Sequence, residues 1–400
     1  MNIGSQRLSA VAFADDVLCL SRNSTEIKKQ LQLILEWCHN WGMQISSTKT
    51  RISTLSDENN WTVQGFVGED FSFGDSAAFT YLGVDFKVKG RDFLGNQYQK
   101  MITRADGYVS AILNTTRDQL DRSLVAWSLW NNCAIPAILY GSETCVLGKN
   151  ILEELNKRQR RIAAFITGLP STGGNIALSL ESGLIPFEAR YHIGLHRFFN
   201  RCLKSKCSLI IEALNEHSHG GWNSPYRSRL EEVIKKYGLS HLTSAVSKEK
   251  ILEYSWGEVL KELYKLKSMV NFSVRDSKWN LPKHVNDSYR SGVLCLFRTG
   301  NAGLGNRSPT EFGFRAKTCP LCAEPDKLFP LNETHVVFEC TVLQFKQVEV
   351  GLQDYSNRKG SDLRLYLGGD NCTFYELLAR GSALAELRDE YLKRVKALTT

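Results

Sequence analysis

Two adjacent carboxylates, Asp15 and Asp16, stand between two apolar runs in the stretch Val11-Ala12-Phe13-Ala14-Asp15-Asp16-Val17-Leu18-Cys19-Leu20. Residues 8–13 read as one strand and 17–20 as the next, which puts Ala14, Asp15 and Asp16 at the tip of a tight hairpin. Two like charges at one tip repel each other. A divalent cation offsets that cost, and oxygen-only donors suit Mg²⁺. Two-metal phosphoryl-transfer sites need carboxylates of this kind. Aspartate is also common in turns for its local backbone hydrogen bonds, so the pair by itself leaves both readings open.

The flanks narrow the choice. Ala-Phe-Ala-Asp-Asp-Val-Leu-Cys-Leu, residues 12–20 with the apolar run before it, resembles the polymerase hairpin of reverse transcriptases, in the version carried by non-LTR (LINE-type) retrotransposons. The resemblance implies that Asp15 is a Mg²⁺ ligand and that Asp16 assists it. Three further stretches follow in the family's order. Asn23 or Ser24 caps an amphipathic helix with Ile27, Leu31, Ile34, Leu35, Cys38 and Trp41 at helical spacing, and Gly42 stops it. Residues 43–50 alternate like a strand; with Trp41-Gly42 before it, the stretch resembles the family's next motif. There the resemblance implies that Lys49 lies near the incoming nucleotide, where a lysine can protonate the pyrophosphate leaving group. Phe79-Thr80-Tyr81-Leu82-Gly83-Val84 resembles the hairpin that grips the primer end, which assigns primer contact to Tyr81, Leu82 and Gly83.

From about residue 98 the pattern turns helical. Tyr98, Met101, Ile102, Ala105, Tyr108, Val109 and Ile112 form one stripe, and a second helix from about Ser123 is expected to stop before Pro136. The stretch 136–143 resembles the thumb of the same family. Helices over 150–167 and 187–204 carry Lys157, Arg158, Arg160, Arg161, Arg190, Arg197 and Arg201. Between residues 150 and 206 nine Lys/Arg face four Glu, a local excess suited to tracking phosphates. The net charge of +8 permits a nucleic-acid partner without requiring one. Glu216 to Gly221 reads as a loop, its two histidines solvated, and the Gly-rich stretch 298–306 follows no convincing strand, so it is not a dinucleotide fingerprint.

Near the C-terminal end, Cys319-Pro320-Leu321-Cys322 is followed by His335 and Cys340. Cys-x2-Cys-x12-His-x4-Cys supplies three thiolates and one imidazole, the donor set of a closed structural Zn²⁺ site. The quartet resembles the zinc element of non-LTR reverse transcriptases. With no apolar run of membrane-spanning length and no apolar leader, the eleven cysteines read as thiols and metal ligands in an intracellular chain, nuclear and cytoplasmic by the resemblance.

The expected fold is α+β and mostly α. Palm is assigned to residues 1–92, helical thumb to 93–207, helical connector to 208–308, zinc element to 309–345 and a helical segment to 346–400. The resemblance implies an RNA-directed DNA polymerase acting on an RNA template and a DNA primer or target, with Mg²⁺ and a structural Zn²⁺. Only fourteen residues precede Asp15, where the family places its fingers and the rest of the palm. The expectation is therefore a fragment that binds Mg²⁺ poorly unless a partner chain supplies the missing palm. The alternatives are a non-catalytic nucleic-acid-binding remnant and a zinc-stabilised interaction module.

Overall fold

The computed structural model describes residues 2–3, 6–46, 49–53, 60–64, 70–74, 77–88, 93–118, 121–169, 175–219, 225–239, 244–265, 288–298, 319–322, 335–352 and 374–399. Among these the fold is α+β and mostly α, as expected. Four antiparallel hairpins pair β1 (Asn2–Ile3) with β2 (Gln6–Arg7), β3 (Ala10–Phe13) with β4 (Asp16–Cys19), β5 (Asn60–Gln64) with β6 (Asp70–Gly74), and β7 (Ala78–Tyr81) with β8 (Val84–Lys87). Helix α1 (Ser24–Asn40) follows the second hairpin. The rest is helical: α2 (Gly95–Thr116), α3 (Arg122–Leu129), α4 (Ile135–Ile138), α5 (Lys149–Thr167), α6 (Asn175–Ser182), α7 (Phe187–Leu203), α8 (Ser208–His219), α9 (Pro225–Tyr237), α10 (Ser244–Lys265), α11 (Ser288–Arg298), α12 (Gln344–Glu349) and α13 (Phe374–Thr399). No described helix is long and apolar enough to cross a membrane.

The packing groups the chain into two units. The first comprises Met1–Arg104, Ile138–Ile151 and Tyr191–Ser247; the second comprises Ala105–Ala137, Leu152–Arg190 and Lys248–Thr400.

In the first unit, α1 starts where Asn23 Oδ1 accepts from the Glu26 amide at 2.9 Å while Glu26 reaches back to the Arg22 amide. Both bonds satisfy amides that a helix start leaves open. It ends in a paired closure: Met43 N donates to Cys38 O, and Gly42 N, at φ 65°, to His39 O. That left-handed position favours glycine. Leu31 and Leu35 are buried with Ile52, and Ile27 and Ile45 pack against them. Trp41 departs from the expected stripe: it is 70% exposed, beside Trp37, which is exposed too. Its amide still makes the helical bond to Trp37 O, so Trp41 continues the open face of Trp37 rather than the buried stripe. Residues 43–46 form no strand, contrary to expectation. Ser46 O instead collects the amides of Lys49 and Thr50, which curls the segment into a turn. Farther on, Tyr191 Oη donates to Cys145 O at 2.7 Å and accepts from the Leu147 amide. The expected loop over 216–221 is corrected too: α8 runs through His219, since nothing before Gly220-Gly221 breaks it.

In the second unit, the helix expected to stop before Pro136 does not. The α3 turns widen into a π-turn over Trp130–Ala134, where Ile135 N donates to Trp130 O, and helix resumes through Pro136. The extra residue in the widened turn makes room for a ring that would otherwise clash with the preceding turn. Trp130, fully buried, donates from Nε1 to Gln159, whose amide donates to Ile185 O, and its ring meets Phe187 edge-on.

The same unit buries an ion pair. Arg298 Nε donates to Glu181 Oε1 at 2.7 Å, with side chains 1% and 0% exposed. The Cys295 thiol, kept protonated by its burial, donates to the other Glu181 oxygen. Removing one partner strands a buried charge. Arg298→Met is expected to cost about 3–5 kcal/mol in urea unfolding, while Glu181→Leu/Arg298→Met together recover most of it. A loss under 1 kcal/mol for the single variant contradicts this account.

Candidate functional site

Three clusters of sequence-predicted residues can be placed. The first lies at the tip of β3–β4. The pairing is Phe13 with Asp16 and Ala12 with Val17, so the turn is Ala14-Asp15 and Asp16 opens the second strand. The expected three-residue tip is thus one residue shorter. Both carboxylates are exposed. Phe13 and Val17 beside them are exposed as well. Ala14 sits at φ 51°. Lys49 is exposed, in the turn after α1.

The second cluster is the β7–β8 hairpin. Tyr81 pairs with Val84, leaving Leu82 (φ 48°) and Gly83 (φ 79°) as its two central residues, both left-handed, as a primed two-residue turn requires. Ala14 and Leu82 are the two described non-glycine residues with positive φ. Each therefore sits at the tip of a hairpin that the sequence singles out. Such strain costs about 1–2 kcal/mol and persists where surrounding contacts over-determine it.

The basic residues divide sharply. On α5, Lys157 and Arg158 both meet Glu154, Arg158 also makes a forked pair with Asp106 at 3.1 and 3.2 Å, and Arg160 meets Glu153. Arg161 is exposed. Arg190 is half-buried, bonded to Asn131, and its guanidinium is lowered by desolvation to about 10, so it stays charged at neutral pH. On α7, by contrast, Arg197, Arg201 and Lys204 are exposed on one face. With Asn200 and Ser205 they line an open cleft of about 480 Å³. Arg201 lies over the Phe198 ring at 5.4 Å. None of the three takes part in a described ion pair, so their charge is available, as is that of Arg161, in a way that the charges of Lys157, Arg158 and Arg160 are not. Sequence reasoning counted these cations alike because the carboxylates that pair with Lys157, Arg158 and Arg160 lie one or two turns away or, at Asp106, on another helix.

The third cluster brings together Cys319, Cys322, His335 and Cys340. Their ligand atoms lie within 4.8 Å of one another and all four residues are buried. His335 opens a π-turn (His335–Glu339), and Cys340 N donates to His335 O at 2.7 Å, which aims both side chains inward. Cys322 Sγ is 3.3 Å from Cys340 Sγ. The crowded donors share protons. Hydrogen bonding with Cys340, then with His335, holds the Cys319 thiol down to about 4, and the same contact with Cys319 pushes Cys340 up. Thiolate bonds to zinc are about 2.3 Å, so two ligands of one ion are at most about 4.6 Å apart, and donors within 4.8 Å of one another close onto an ion with a shift of a few tenths of an ångström. Three thiolates and one imidazole at this spacing fit a metal such as Zn²⁺ and leave no position for a substrate. The Asn332-Glu333-Thr334 stretch and the Gly-rich stretch beyond Arg298 lie outside the described residues. The ten described cysteines form no disulfide.

Comparison with known proteins bears on the first two clusters. Residues 2–86 match the family model described as reverse transcriptase (RNA-dependent DNA polymerase). A Caenorhabditis elegans protein named putative uncharacterized transposon-derived protein F52C9.6 is 22% identical over 174 residues, 43% of this chain. The chain spans 61% of that relative's length. No solved structure matches. The match to a reverse-transcriptase model and the likeness to a transposon-derived protein agree with the resemblance of the N-terminal motifs, and the tips of both strained hairpins fall inside the matched segment.

Proposed function

We propose that the chain is part of an RNA-directed DNA polymerase of a non-LTR retrotransposon. The observation that carries this is the β3–β4 turn: two exposed carboxylates beside a left-handed Ala14, inside a segment that matches the reverse-transcriptase family. In this reading residues 1–92 are palm and 93–207 thumb. Asp15 and Asp16 hold Mg²⁺, which supplies charge stabilisation at the transferring phosphoryl group. Lys49 donates a proton toward the leaving pyrophosphate, Tyr81 to Gly83 position the primer, and the basic helices hold the template–primer hybrid. The Cys319, Cys322, His335, Cys340 cluster holds a structural Zn²⁺.

A second reading, nucleic-acid binding without catalysis, is favoured by one observation. Among the described residues no third carboxylate joins Asp15 and Asp16; the cluster of three or more metal-ligating residues found there is the Cys/His quartet. Both readings place a phosphate backbone on the α7 face. The test is affinity for an RNA–DNA hybrid across a salt series, with templated extension of its primer read in the same reactions. Each phosphate neutralised contributes roughly one unit to the slope of log K against log salt, so Arg197→Glu/Arg201→Glu is expected to flatten the slope by about two and weaken binding at low salt at least tenfold. Arg158→Gln, which breaks an internal ion pair, is expected to leave the slope unchanged. Salt-independent binding, or an unaltered slope in the α7 variant, contradicts the nucleic-acid reading.

A further inference from the structure

The β7–β8 turn is held from outside by three side chains that no sequence motif assigned. Tyr140 Oη donates to Leu82 O at 2.9 Å. Lys100 Nζ donates to Gly83 O at 3.2 Å and to Asp85 Oδ1 at 2.8 Å. Gln97 accepts the Asp85 amide through its side-chain oxygen and donates through its nitrogen to Tyr140 O. Both carbonyls of the turn are thereby fixed, one by a residue 58 positions along the chain.

Around this network the fit is close. A Cβ at Gly83 would stand 3.1 Å from the Tyr140 ring, and one at Gly141 would stand 2.7 Å from a Val84 methyl. Gly141 is left-handed at φ 77°, which is what lets the chain double back so that Tyr140 lies on the turn. Burial by itself would raise the Asp85 carboxyl. The hydrogen bonds from Lys100 and Thr80 prevail and hold it below the usual carboxylate range, so it stays ionised as the counter-charge for Lys100. Gln97 is fully buried, yet half of Tyr140 is exposed, as is part of Leu82. A latch serving stability alone has no need of an exposed tip. This one immobilises a strained turn while leaving its outer edge open.

We propose that Tyr140, supported by Lys100 and Gln97, is a positioning residue that presets the Leu82–Gly83 turn for contact with the 3′ end of a nucleic-acid primer. The inference rests on the reverse-transcriptase reading of Tyr81 to Gly83 and adds the residues that fix their shape. Two consequences separate it from a packing role. The hydroxyl of Tyr140 governs how the duplex end is held, whereas duplex affinity as a whole stays with the basic face of α7. And Lys100, acting on the neighbouring carbonyl, gives the same phenotype independently.

The experiment uses the full chain and an RNA-templated DNA primer carrying 2-aminopurine as its 3′-terminal base, with melting temperature and overall affinity measured alongside. Tyr140→Phe keeps the ring against Gly83 and removes only the hydroxyl. It is expected to reduce the binding-induced change at the primer terminus roughly fivefold, the order of one hydrogen bond, with overall affinity within about twofold of wild type. Lys100→Met is expected to do the same. A terminal signal that survives in both variants, or a wild-type chain that binds the duplex without any signal at its end, overturns the latch. A wild-type chain that binds no duplex overturns the functional reading on which it rests.

Discussion

Stripping metal from the Cys319, Cys322, His335, Cys340 cluster is expected to unfold the segment around it. The four donors are buried within 4.8 Å of one another, and without an ion their thiolates and imidazole are crowded together away from water, a cost that the buried Val336, Val337 and Phe338 and the Gln347 bond to Val336 O must offset alone. In small zinc-dependent peptides the apparent binding free energy is about 10–16 kcal/mol, and it is inseparable from folding. Retaining even about 5 kcal/mol of that here corresponds to a fall of roughly 10–20 °C in melting temperature on chelation or in Cys340→Ser. The sign with pH follows from the donors: thiolate and neutral imidazole bind metal, so protons compete, and metal is lost as pH falls. Cys207, exposed and outside the cluster, is the control, and Cys207→Ser is expected to change neither metal content nor melting. One zinc per chain, lost together with thermal stability in Cys340→Ser, is the expected result. Metal-free protein that melts at the same temperature as the loaded form contradicts a structural site.

The zinc quartet was legible because its spacing is local and its chemistry leaves few alternatives. The same holds for the ends of α1, where Asn23 and Gly42 each act on backbone groups a few residues away. What could not be read lies in contacts distant in sequence. Nothing around Glu181 or Arg298 announces a buried pair separated by 117 positions. Tyr140 belonged to a stretch already noted for its resemblance, but its role depends on a turn 58 residues earlier. Pro136 was misread because the π-turn that accommodates it is a property of the packed helix, not of the proline. Trp41 was assigned to a buried stripe by period alone, yet it stands one turn past Trp37 on the same open face. The basic helices show the limit most clearly. Arg158 and Arg201 look equivalent in sequence, yet one is held by Glu154 and Asp106 while the other lies free of described carboxylates over Phe198.

The strained hairpin tips join sequence to function in a different way. A left-handed alanine and a left-handed leucine are costly choices where glycine was available, and they occur at the two turns whose sequences resemble catalytic and primer-binding hairpins. Strain of this kind is a reason to suspect function at the tips, and it makes those tips the places where single substitutions should act without unfolding the chain.

Asp15→Ala is the substitution with the largest expected effect on chemistry. Its side chain is exposed, so its removal leaves packing intact while taking away a ligand that charge stabilisation in phosphoryl transfer depends on. The most direct measurement is single-nucleotide addition to a DNA primer on an RNA template with Mg²⁺, comparing the wild-type chain, Asp15→Ala and Arg197→Glu/Arg201→Glu, with hybrid affinity read in parallel. Wild type is expected to extend, Asp15→Ala to bind the hybrid as wild type does but to extend at least about a hundredfold more slowly, and the α7 variant to lose binding. Extension that persists in Asp15→Ala, or a wild-type chain that binds the hybrid and never extends it, contradicts the polymerase reading; the second result leaves nucleic-acid binding as the activity these residues perform.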